Sequence, residues 1–311
     1  MTALEAVAVH VPPDAAALGD LAAALGLTPR QAQLYHRFHG LDRIALAPGD
    51  GPVDRLAAAA NALDALRGRE DRVRYLIYAR STPIAVPYPL SPPEELRRTL
   101  GLYRATAFTV THHACATGLL ALDIAGRLLA AEPDPDALAL VVAGEKAFTR
   151  DTQLIPNTSI CAEASAACLV RAGGGRDRIL SYAASLRGEF DGRLAEDPDL
   201  LARFQREYPL ALAQVIEEAV HRAGLSGLDE VDLILPHNVN RVSWQTLCRR
   251  TGYPVERVLL DNVPRVGHSF AADAFVNYRT AVDRGLLAPG AHYLVAAAGI
   301  GAVFSAMVLR H

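Results

Sequence analysis

The chain alternates between two kinds of segment, distinguished by their pattern of apolar and polar positions. Short uninterrupted apolar runs, such as ALALVVA at residues 137–143, predict strands that are buried on both faces. Ala- and Leu-rich segments at helical spacing predict helices, so we expect a layered α/β architecture with helical crossovers. The expected strands are residues 3–11, 73–79, 106–110, 137–143, 164–170, 178–186, 231–235, 258–262, 291–298 and 302–309. The expected helices are residues 53–66, 94–100, 114–131, 198–223, 242–252 and 269–284, and the proline-rich residues 83–93 are expected to form a loop.

The same order of predicted elements occurs twice along the chain. VRYLIYARS in the first half corresponds to VDLILPHNV in the second, and TVTHHACATGLLAL corresponds to DNVPRVGHSFAADAF. In the same way, ALALVVAGEKAF corresponds to HYLVAAAGIGAV. The correspondence lies in the order of elements rather than in identical residues. It predicts two similar halves, residues 1–172 and 173–311, that meet at a glycine-rich turn and share one core.

Composition excludes several classes of protein. Of the 311 residues, 51% are hydrophobic and 21% are charged, which rules out general disorder. The formal net charge of −3 provides no basic field that would attract nucleic acid or anionic lipid. The longest apolar runs, such as residues 293–300, fall short of the ~20 residues of a membrane span. Because the N-terminus also lacks a secretory signal, we expect a soluble cytoplasmic protein with no nucleic-acid or membrane partner.

Four cysteines are present, at positions 115, 161, 168 and 248. No two of them form a CxxC pair, so a zinc ribbon is not expected, and a reducing compartment argues against a disulfide framework. The chain also lacks a GxxxxGK phosphate loop. We therefore predict neither a metal nor a bound cofactor.

Cys115 is the cysteine with the most distinctive surroundings. It lies in THHACATG, between a predicted strand and a long apolar helix. A thiol at a helix N-terminus feels the positive end of the helix dipole, which favours the thiolate. A buried structural cysteine explains the local string equally well.

Two histidines in the second half lie at comparable places. His237 follows the predicted strand VDLIL, where polar groups line the crevice of an α/β sheet. His268 lies in RVGHS at the turn before a helix, which is the place that Cys115 occupies in the first half. Taken singly, His237 also fits a surface loop and His268 also fits a neighbour of a helix cap.

Taken together, the three residues resemble the thiolase superfamily, and within it the ketoacyl-acyl-carrier-protein synthase III group. The matching strings are ACATG, LILPHNVNR, LLDNVPRVGHSFAADAF and AAAGIGAVFSA, with YARSTP matching the strand before the active site. The resemblance covers most of the chain from Gly40 onward. It implies a duplicated five-layer α-β-α-β-α fold, in agreement with the repeated order of elements.

The resemblance also implies roles for individual residues. Cys115 corresponds to the nucleophile, and His237 and His268 correspond to its two catalytic partners. The backbone N–H groups of Cys115 and of a residue near Gly301 are expected to bind the oxyanion. Candidate contacts to substrate or to the pantetheine arm are Asn238, Asn240, Arg241, Trp244 and Asp273, although a packed Trp244 and a surface Arg241 are the simpler interpretations.

The chain departs from the family pattern at three places. His268 stands where the family has Asn, so the set becomes Cys-His-His, as in the elongating ketosynthases. Asp273 stands where the family has a small residue, and CAEASA at residues 161–166 replaces the Gly-Asp-Gly-Ala-Gly segment. Since a histidine can accept a proton and an asparagine cannot, acyl transfer to a hydroxyl or amine becomes more plausible than in the Asn-bearing enzymes.

The first hypothesis is therefore an acyltransferase of secondary metabolism, such as polyketide biosynthesis. Cys115 would take an acyl group from an acyl carrier protein or coenzyme A, with the phosphopantetheine thioester as substrate and no separate cofactor. The acceptor is a small molecule or a malonyl thioester, and the second choice would make the reaction a decarboxylative condensation. Two further hypotheses are a catalytically retired partner in a synthase complex and a cysteine hydrolase. The family also implies a homodimer formed through the half that carries the nucleophile.

Overall fold

Most of the predicted elements are present in the computed structural model, which describes residues 2–83, 86–190 and 197–311. Strand predictions at residues 73–79, 106–110 and 178–186 are confirmed to the residue. In the described part of the chain the helices are α1 (Leu18–Ala22), α2 (Pro29–Leu34), α3 (Asp54–Asn61), α4 (Pro92–Thr99), α5 (Thr117–Ala131), α6 (Arg150–Gln153), α7 (Pro198–Arg222), α8 (Arg241–Thr251) and α9 (Asp273–Asp283). The strands are β1 (Thr2–His10), β2 (Ala15–Ala17), β3 (Arg43–Ala45), β4 (Val73–Ala79), β5 (Thr106–Val110), β6 (Leu138–Gly144), β7 (Leu154–Ile155), β8 (Ser159–Ile160), β9 (Ser165–Ala172), β10 (Arg178–Leu186), β11 (Leu233–Pro236), β12 (His292–Gly299) and β13 (Val303–Arg310).

Nine of the described strands are linked in the order β11-β12-β13-β10-β1-β9-β6-β4-β5. The strands that precede residue 173 lie at one end of this order, and those that follow it lie at the other. The two sets join where β1 pairs with β10, and that pairing is limited to Thr2 with Ile179 and Ala3 with Arg178. Such a short junction lets each set form its own layer.

Helices cover both faces of each layer. The central helices α5 and α9 each pack against strands of both halves, and their apolar residues share one buried cluster with those strands. On the outer faces, α3 and α4 pack on the first-half strands, while α7 packs on β10 and β13 and supports α8. The order of layers is therefore helix, sheet, helix, sheet, helix. The division into two halves at residue 172 stays a prediction.

The central helix α5 lies in an unusually apolar stretch of sequence. Among the described residues, one helical stretch, Ala114–Ala131, has the length and apolar composition of a membrane span. Leu119, Leu122 and Leu129 on this stretch are at most 3% exposed, because they pack into the cluster between the two layers. Its apolar composition is explained by burial in the protein core.

Two predictions about the path of the chain are wrong. Residues 258–262 do not form a strand, because only Val258 bridges to Ile234 and the carbonyl of Asn262 then accepts the N–H groups of Arg265 and Val266 in a turn. The predicted loop at residues 83–93 ends early, since α4 already begins at its two prolines, and residues 84 and 85 of that loop lie outside the described residues. Prolines suit the first turn of a helix, where the missing N–H has no partner to lose.

Candidate active site

Cys115 lies at the start of the central helix, on a single 3₁₀ turn formed by Ala114–Ala116. His112 and Ala114 have left-handed backbones, with φ of 72° and 44°, a conformation that costs about 1–3 kcal/mol at a non-glycine residue. Thr117 stabilises the turn, because its Oγ1 donates to the carbonyl of Ala114 at 2.7 Å. This turn places the partly exposed thiol of Cys115 in the wall of a cavity.

Two glycines let neighbouring segments approach this turn closely. A Cβ on Gly299, at the end of β12, would lie 2.3 Å from the carbonyl oxygen of His113. A Cβ on Gly118 would lie 2.6 Å from the carbonyl oxygen of Ala271. Because both distances are too short for a methyl group, only glycine allows β12 and the segment before α9 to pack against the nucleophile turn.

His268 links Cys115 to a buried carboxylate. Its Nε2 lies 3.1 Å from the Sγ of Cys115, and its Nδ1 lies 2.5 Å from the Oδ2 of Asp273. Asp273 also accepts the backbone N–H groups of Ser269 and Asn238, at 2.6 and 2.5 Å. Thiol, imidazole and carboxylate therefore form one hydrogen-bonded line in which the carboxylate is firmly positioned.

The structure places Asp273, a predicted substrate contact, away from the cavity wall. Asp273 is 1% exposed and lies behind the ring of His268, away from the cavity wall. The reason is local: the chain turns once through Phe270–Ala272 before α9 begins at Asp273, so the carboxylate points back at the imidazole. Asp273 is therefore a partner of His268 and belongs to the same chemical unit as Cys115.

The protonation of His268 is controlled by its two neighbours. Burial alone would lower its pKa, but the Asp273 carboxylate and the Cys115 sulfur outweigh burial and raise the pKa of His268 well above that of an ordinary histidine. The imidazolium form is therefore favoured at neutral pH and above. Such a ring can hold a proton taken from the thiol and later release it to a leaving group.

His237 has the opposite protonation preference. It follows β11, is 1% exposed, and its Nε2 lies 2.8 Å from the hydroxyl of Tyr208 on α7. Burial, together with the charge on His268, lowers the pKa of His237 to about 3. The rings of the two histidines are 6.2 Å apart between centroids, so a neutral and a protonated imidazole share the site.

Asn238 and Trp244, two of the predicted substrate contacts, form hydrogen bonds with other residues of the site. Asn238 is fully buried, its Nδ2 lies 3.4 Å from Asp273, and its Oδ1 accepts the Nδ2 of Asn277 at 2.8 Å. Trp244 is also fully buried, and its Nε1 donates to the carbonyl of His237 at 3.0 Å. These side chains hold Asp273 and His237 in place from behind and do not line the cavity, so a contact of either one with substrate stays a prediction.

Asn240 and Arg241 likewise have local roles at the start of α8. The Oδ1 of Asn240 caps the helix by accepting the N–H of Ser243 at 2.8 Å, and its Nδ2 donates to the carbonyl of Thr158 at 3.1 Å. The exposed Arg241 packs its side chain against Gly40, where a Cβ would lie 2.5 Å from the Cδ of Arg241. Neither side chain lines the cavity beside Cys115, but Asn240 lines a neighbouring cavity that shares Thr158, Phe204 and Tyr208 with it. A contact of Asn240 or Arg241 with the substrate or its pantetheine arm stays a prediction.

The cavity beside Cys115 has a volume of about 260 Å³ and is lined mainly by apolar groups. Its wall combines the segment from α6 to β8, one face of α7, and the end of β12. At the end of β12 the wall is formed by Ala298, Gly299 and Ile300, next to Gly301 in the sequence. The backbone donor expected near Gly301 stays a prediction. The lining residues are Cys115, Asp151, Leu154, Ile155, Pro156, Thr158, Leu201, Phe204, Tyr208, His237, Val239, His268, Ala298, Gly299 and Ile300.

Sequence reasoning missed two contributors to the site. Tyr208 contacts His237. The one feature of the sequence that could have indicated this role is the spacing of four residues between Tyr208 and Phe204 on the apolar face of α7. Ser81 lies with its Oγ 3.7 Å from the Sγ of Cys115, and the buried Glu145 fixes that turn by accepting the N–H of Thr82 at 3.0 Å. No group of three or more metal-ligating side chains is arranged around an ion in residues 2–83, 86–190 and 197–311.

The known proteins that this chain resembles in sequence are synthases of one family. Residues 209–311 match the family model for the C-terminal part of 3-oxoacyl-[acyl-carrier-protein] synthase III. A β-ketoacyl-[acyl-carrier-protein] synthase III of Thermosynechococcus vestitus is 30% identical over 288 residues, covering 84% of this chain and 83% of the relative. One of Ruegeria sp. is 28% identical over 291 residues, covering 87% of this chain and 88% of the relative.

Solved structures extend the similarity to the whole fold. The acyltransferase ChlB3 superposes with a TM-score of 0.85 at 22% identity, covering 99% of this chain and 97% of that chain. The 3-oxoacyl-[acyl-carrier-protein] synthase III of Aquifex aeolicus superposes with a TM-score of 0.84 at 19% identity, covering 100% of both chains. These similarities confirm the predicted thiolase-like fold.

Proposed function

The chain belongs to the β-ketoacyl-[acyl-carrier-protein] synthase III family of acyl-transferring enzymes, and we propose that it passes an acyl group from Cys115 to a heteroatom of a second substrate. The single observation that carries this proposal is the line from Cys115 through His268 to Asp273. A base supported by a carboxylate is what activation of a hydroxyl, amine or thiol requires.

The first half-reaction starts from a resting enzyme in which the proton of the Cys115 thiol already lies on the Nε2 of His268, which gives a thiolate beside an imidazolium. The sulfur then attacks the thioester carbonyl of the donor, and backbone N–H groups at Cys115 and at the end of β12 stabilise the oxyanion. When the carbon–sulfur bond of the donor breaks, the imidazolium of His268 protonates the departing thiolate. An acyl-enzyme and a free thiol are the products.

In the second half-reaction, the now neutral His268 accepts the proton of the acceptor as the acceptor attacks the acyl-enzyme. The bond between the acyl carbon and Cys115 breaks, and the regenerated thiolate pairs again with the imidazolium. Asp273 holds the ring orientation and stabilises its charge during both steps, as the carboxylate does in other triads.

The donor in this proposal is a phosphopantetheine thioester, carried by an acyl carrier protein or by coenzyme A, and no separate cofactor is needed. The mainly apolar cavity beside Cys115 supports binding of a thioester arm next to the sulfur. We further propose that the enzyme works in the cytoplasm in a pathway of secondary metabolism. ChlB3, which shares the fold, is named an acyltransferase rather than a synthase.

Decarboxylative condensation is the competing function. It requires donors of hydrogen bonds to the enolate that forms when a malonyl thioester loses carbon dioxide. In this site His268 is engaged by Cys115 and Asp273, and the Nε2 of His237 is engaged by Tyr208. The arrangement therefore favours acyl transfer over condensation.

One experiment separates the two reactions. The enzyme is supplied with hexanoyl-CoA and, in parallel, with malonyl-CoA, ethanolamine or N-acetylcysteamine as acceptor, while product mass and carbon dioxide are measured. We expect an acyl amide, ester or thioester to form with at least one heteroatom acceptor. We also expect the wild-type enzyme to release carbon dioxide no faster than a Cys115→Ala, His237→Ala double variant does. Rapid carbon dioxide release coupled to a β-ketoacyl product would contradict the proposal.

We also propose that the protein is a homodimer formed through the first half. Strand β5 lies at the edge of the sheet, and Tyr88 and Tyr103 nearby in the sequence are 97% and 76% exposed. A strand edge that pairs with no other strand among the described residues can pair with another chain, and exposed aromatic rings are common in interfaces. Light scattering at micromolar concentration should give twice the chain mass of 33.2 kDa, whereas a single chain mass across that range would contradict the proposal.

A further inference from the structure

We infer that Tyr208 determines which reaction this site catalyses, by keeping His237 from acting as a hydrogen-bond donor to substrate. The inference rests on the proposed acyl-transfer function and assigns a specificity-determining role to a residue outside the Cys115–His268–Asp273 line. Tyr208 would act through His237 rather than on the reacting atoms, so it is a positioning residue.

The two ring nitrogens of His237 have different surroundings. The Nδ1 of His237 is enclosed by protein and has no hydrogen-bond partner among the described residues. The Nε2 lies 2.8 Å from the hydroxyl of Tyr208, and that tyrosine lines the same cavity as Cys115. Nε2 is therefore the ring nitrogen on the cavity side, where a substrate carbonyl would lie.

In both tautomers of the neutral imidazole, the Nε2 of His237 has no free hydrogen to donate to a substrate. If Nε2 carries the hydrogen, the hydrogen is already donated to the oxygen of Tyr208. If Nδ1 carries it, Nε2 is an acceptor for the phenol and has no hydrogen at all. Because the ring is buried and shares the site with the protonated His268, a doubly protonated His237 is not available at neutral pH.

A free hydrogen-bond donor at the Nε2 position of His237 would accelerate decarboxylation of a malonyl thioester. Loss of carbon dioxide from a malonyl thioester breaks the bond between the α-carbon and the carboxylate. The electron pair of that bond then forms an enolate, with its negative charge on the thioester oxygen. A donor aimed at such an oxygen accelerates a reaction by about 10²–10³-fold. With the Nε2 of His237 engaged by Tyr208, that acceleration is absent, and the competing heteroatom transfer is left as the reaction of the acyl-enzyme.

Tyrosine is well placed to hold this position. Its ring packs edge-to-face with Phe204 and Phe304, at centroid distances of 5.6 and 5.5 Å, so its orientation is fixed by apolar contacts. Burial raises the pKa of the Tyr208 phenol, so the hydroxyl keeps its hydrogen. A phenylalanine at the same place would keep the ring contacts and remove only the hydroxyl.

The test is therefore the Tyr208→Phe variant, assayed for release of carbon dioxide from malonyl-CoA labelled in its free carboxylate. No acyl donor is added, so that the enolate takes a proton from water and acetyl-CoA forms. We expect release to rise by roughly 10–100-fold over the wild-type enzyme, and the gain to disappear in a Tyr208→Phe, His237→Ala double variant. Tyr253→Phe is the matched control, because it removes another buried phenol whose hydroxyl donates to Val231.

The outcomes separate this inference from the proposed function. Unchanged or reduced carbon dioxide release by Tyr208→Phe, in protein that still acylates Cys115, would overturn the role of Tyr208. A gain that survives loss of His237 would overturn it as well, because the effect would not pass through the imidazole. Rapid release already in the wild-type enzyme would contradict acyl transfer as the function and with it the premise of the inference.

Discussion

Replacing Cys115 with alanine is expected to abolish acyl transfer, with a fall in turnover of at least ~10⁴-fold. The sulfur forms the covalent intermediate, and Cys115 is the one cysteine among the described residues that lines the cavity and contacts His268. Turnover is measured as transfer of a hexanoyl group from hexanoyl-CoA to the best acceptor. The folded state should be retained, because the thiol is partly exposed and its removal leaves little unfilled volume in the core.

Cys248→Ala is the matched control for this prediction. Cys248 is a buried cysteine on α8, away from the cavity wall, so its removal should leave turnover within about twofold. If Cys115→Ala retained more than a few per cent of turnover while remaining folded, covalent catalysis by this residue would be excluded. If the wild-type enzyme transferred no acyl group from any thioester donor, the hypothesis of a catalytically retired partner in a synthase complex would be favoured.

Replacing Asp273 with asparagine is expected to lower the rate of Cys115 acylation by about 10³–10⁴-fold, the loss seen when a triad carboxylate is neutralised. The amide keeps the volume of the side chain but removes the charge that stabilises the imidazolium of His268. Of the interactions that raise the pKa of His268, the one with the carboxylate is the largest. The measurement is the single-turnover rate of acylation as a function of pH.

The direction of the pH change follows from the sign of that pKa shift. In the wild-type enzyme the imidazolium is present below the raised pKa of His268 and is lost as the pH rises through it. In Asp273→Asn the pKa falls, so the decline of the acylation rate on the alkaline side should begin at lower pH. Asp283→Asn, the same change on the exposed end of α9, should leave both rate and profile unchanged. An unshifted profile in Asp273→Asn would show that the carboxylate does not control His268.

The layered fold was predictable because its signal is carried by long buried elements. Strand β6 is a continuous apolar run, β4 is apolar apart from Arg74, and α5 is apolar on nearly every side, as central elements must be. The elements between residues 15 and 45 and the hairpin β7–β8 escaped prediction because each is at most six residues long. In such short pieces, capping and tertiary contacts outweigh the hydrophobic period.

The chemistry of the site was predictable in part. The repeated order of elements predicted corresponding places for Cys115 and His268, and the fold brings the Nε2 of His268 within 3.1 Å of the Sγ of Cys115. The role of Asp273 was not predictable, since its spacing of five residues from His268 matches no helical neighbour and becomes meaningful only after the 3₁₀ turn. Tyr208 was hidden for a similar reason, because its contact with His237 joins residues of two separate elements.

The most direct test of the central claim is to locate the acyl group. The wild-type enzyme is exposed briefly to hexanoyl-CoA, and intact mass followed by peptide mapping determines how many acyl groups are bound and where. We expect one hexanoyl group per chain, on the peptide that contains Cys115. In Asp273→Asn the same group should appear on Cys115 more slowly than in the wild-type enzyme. A hexanoyl group on any other residue, or transfer to acceptor through an enzyme that never carries the acyl mass, would contradict it.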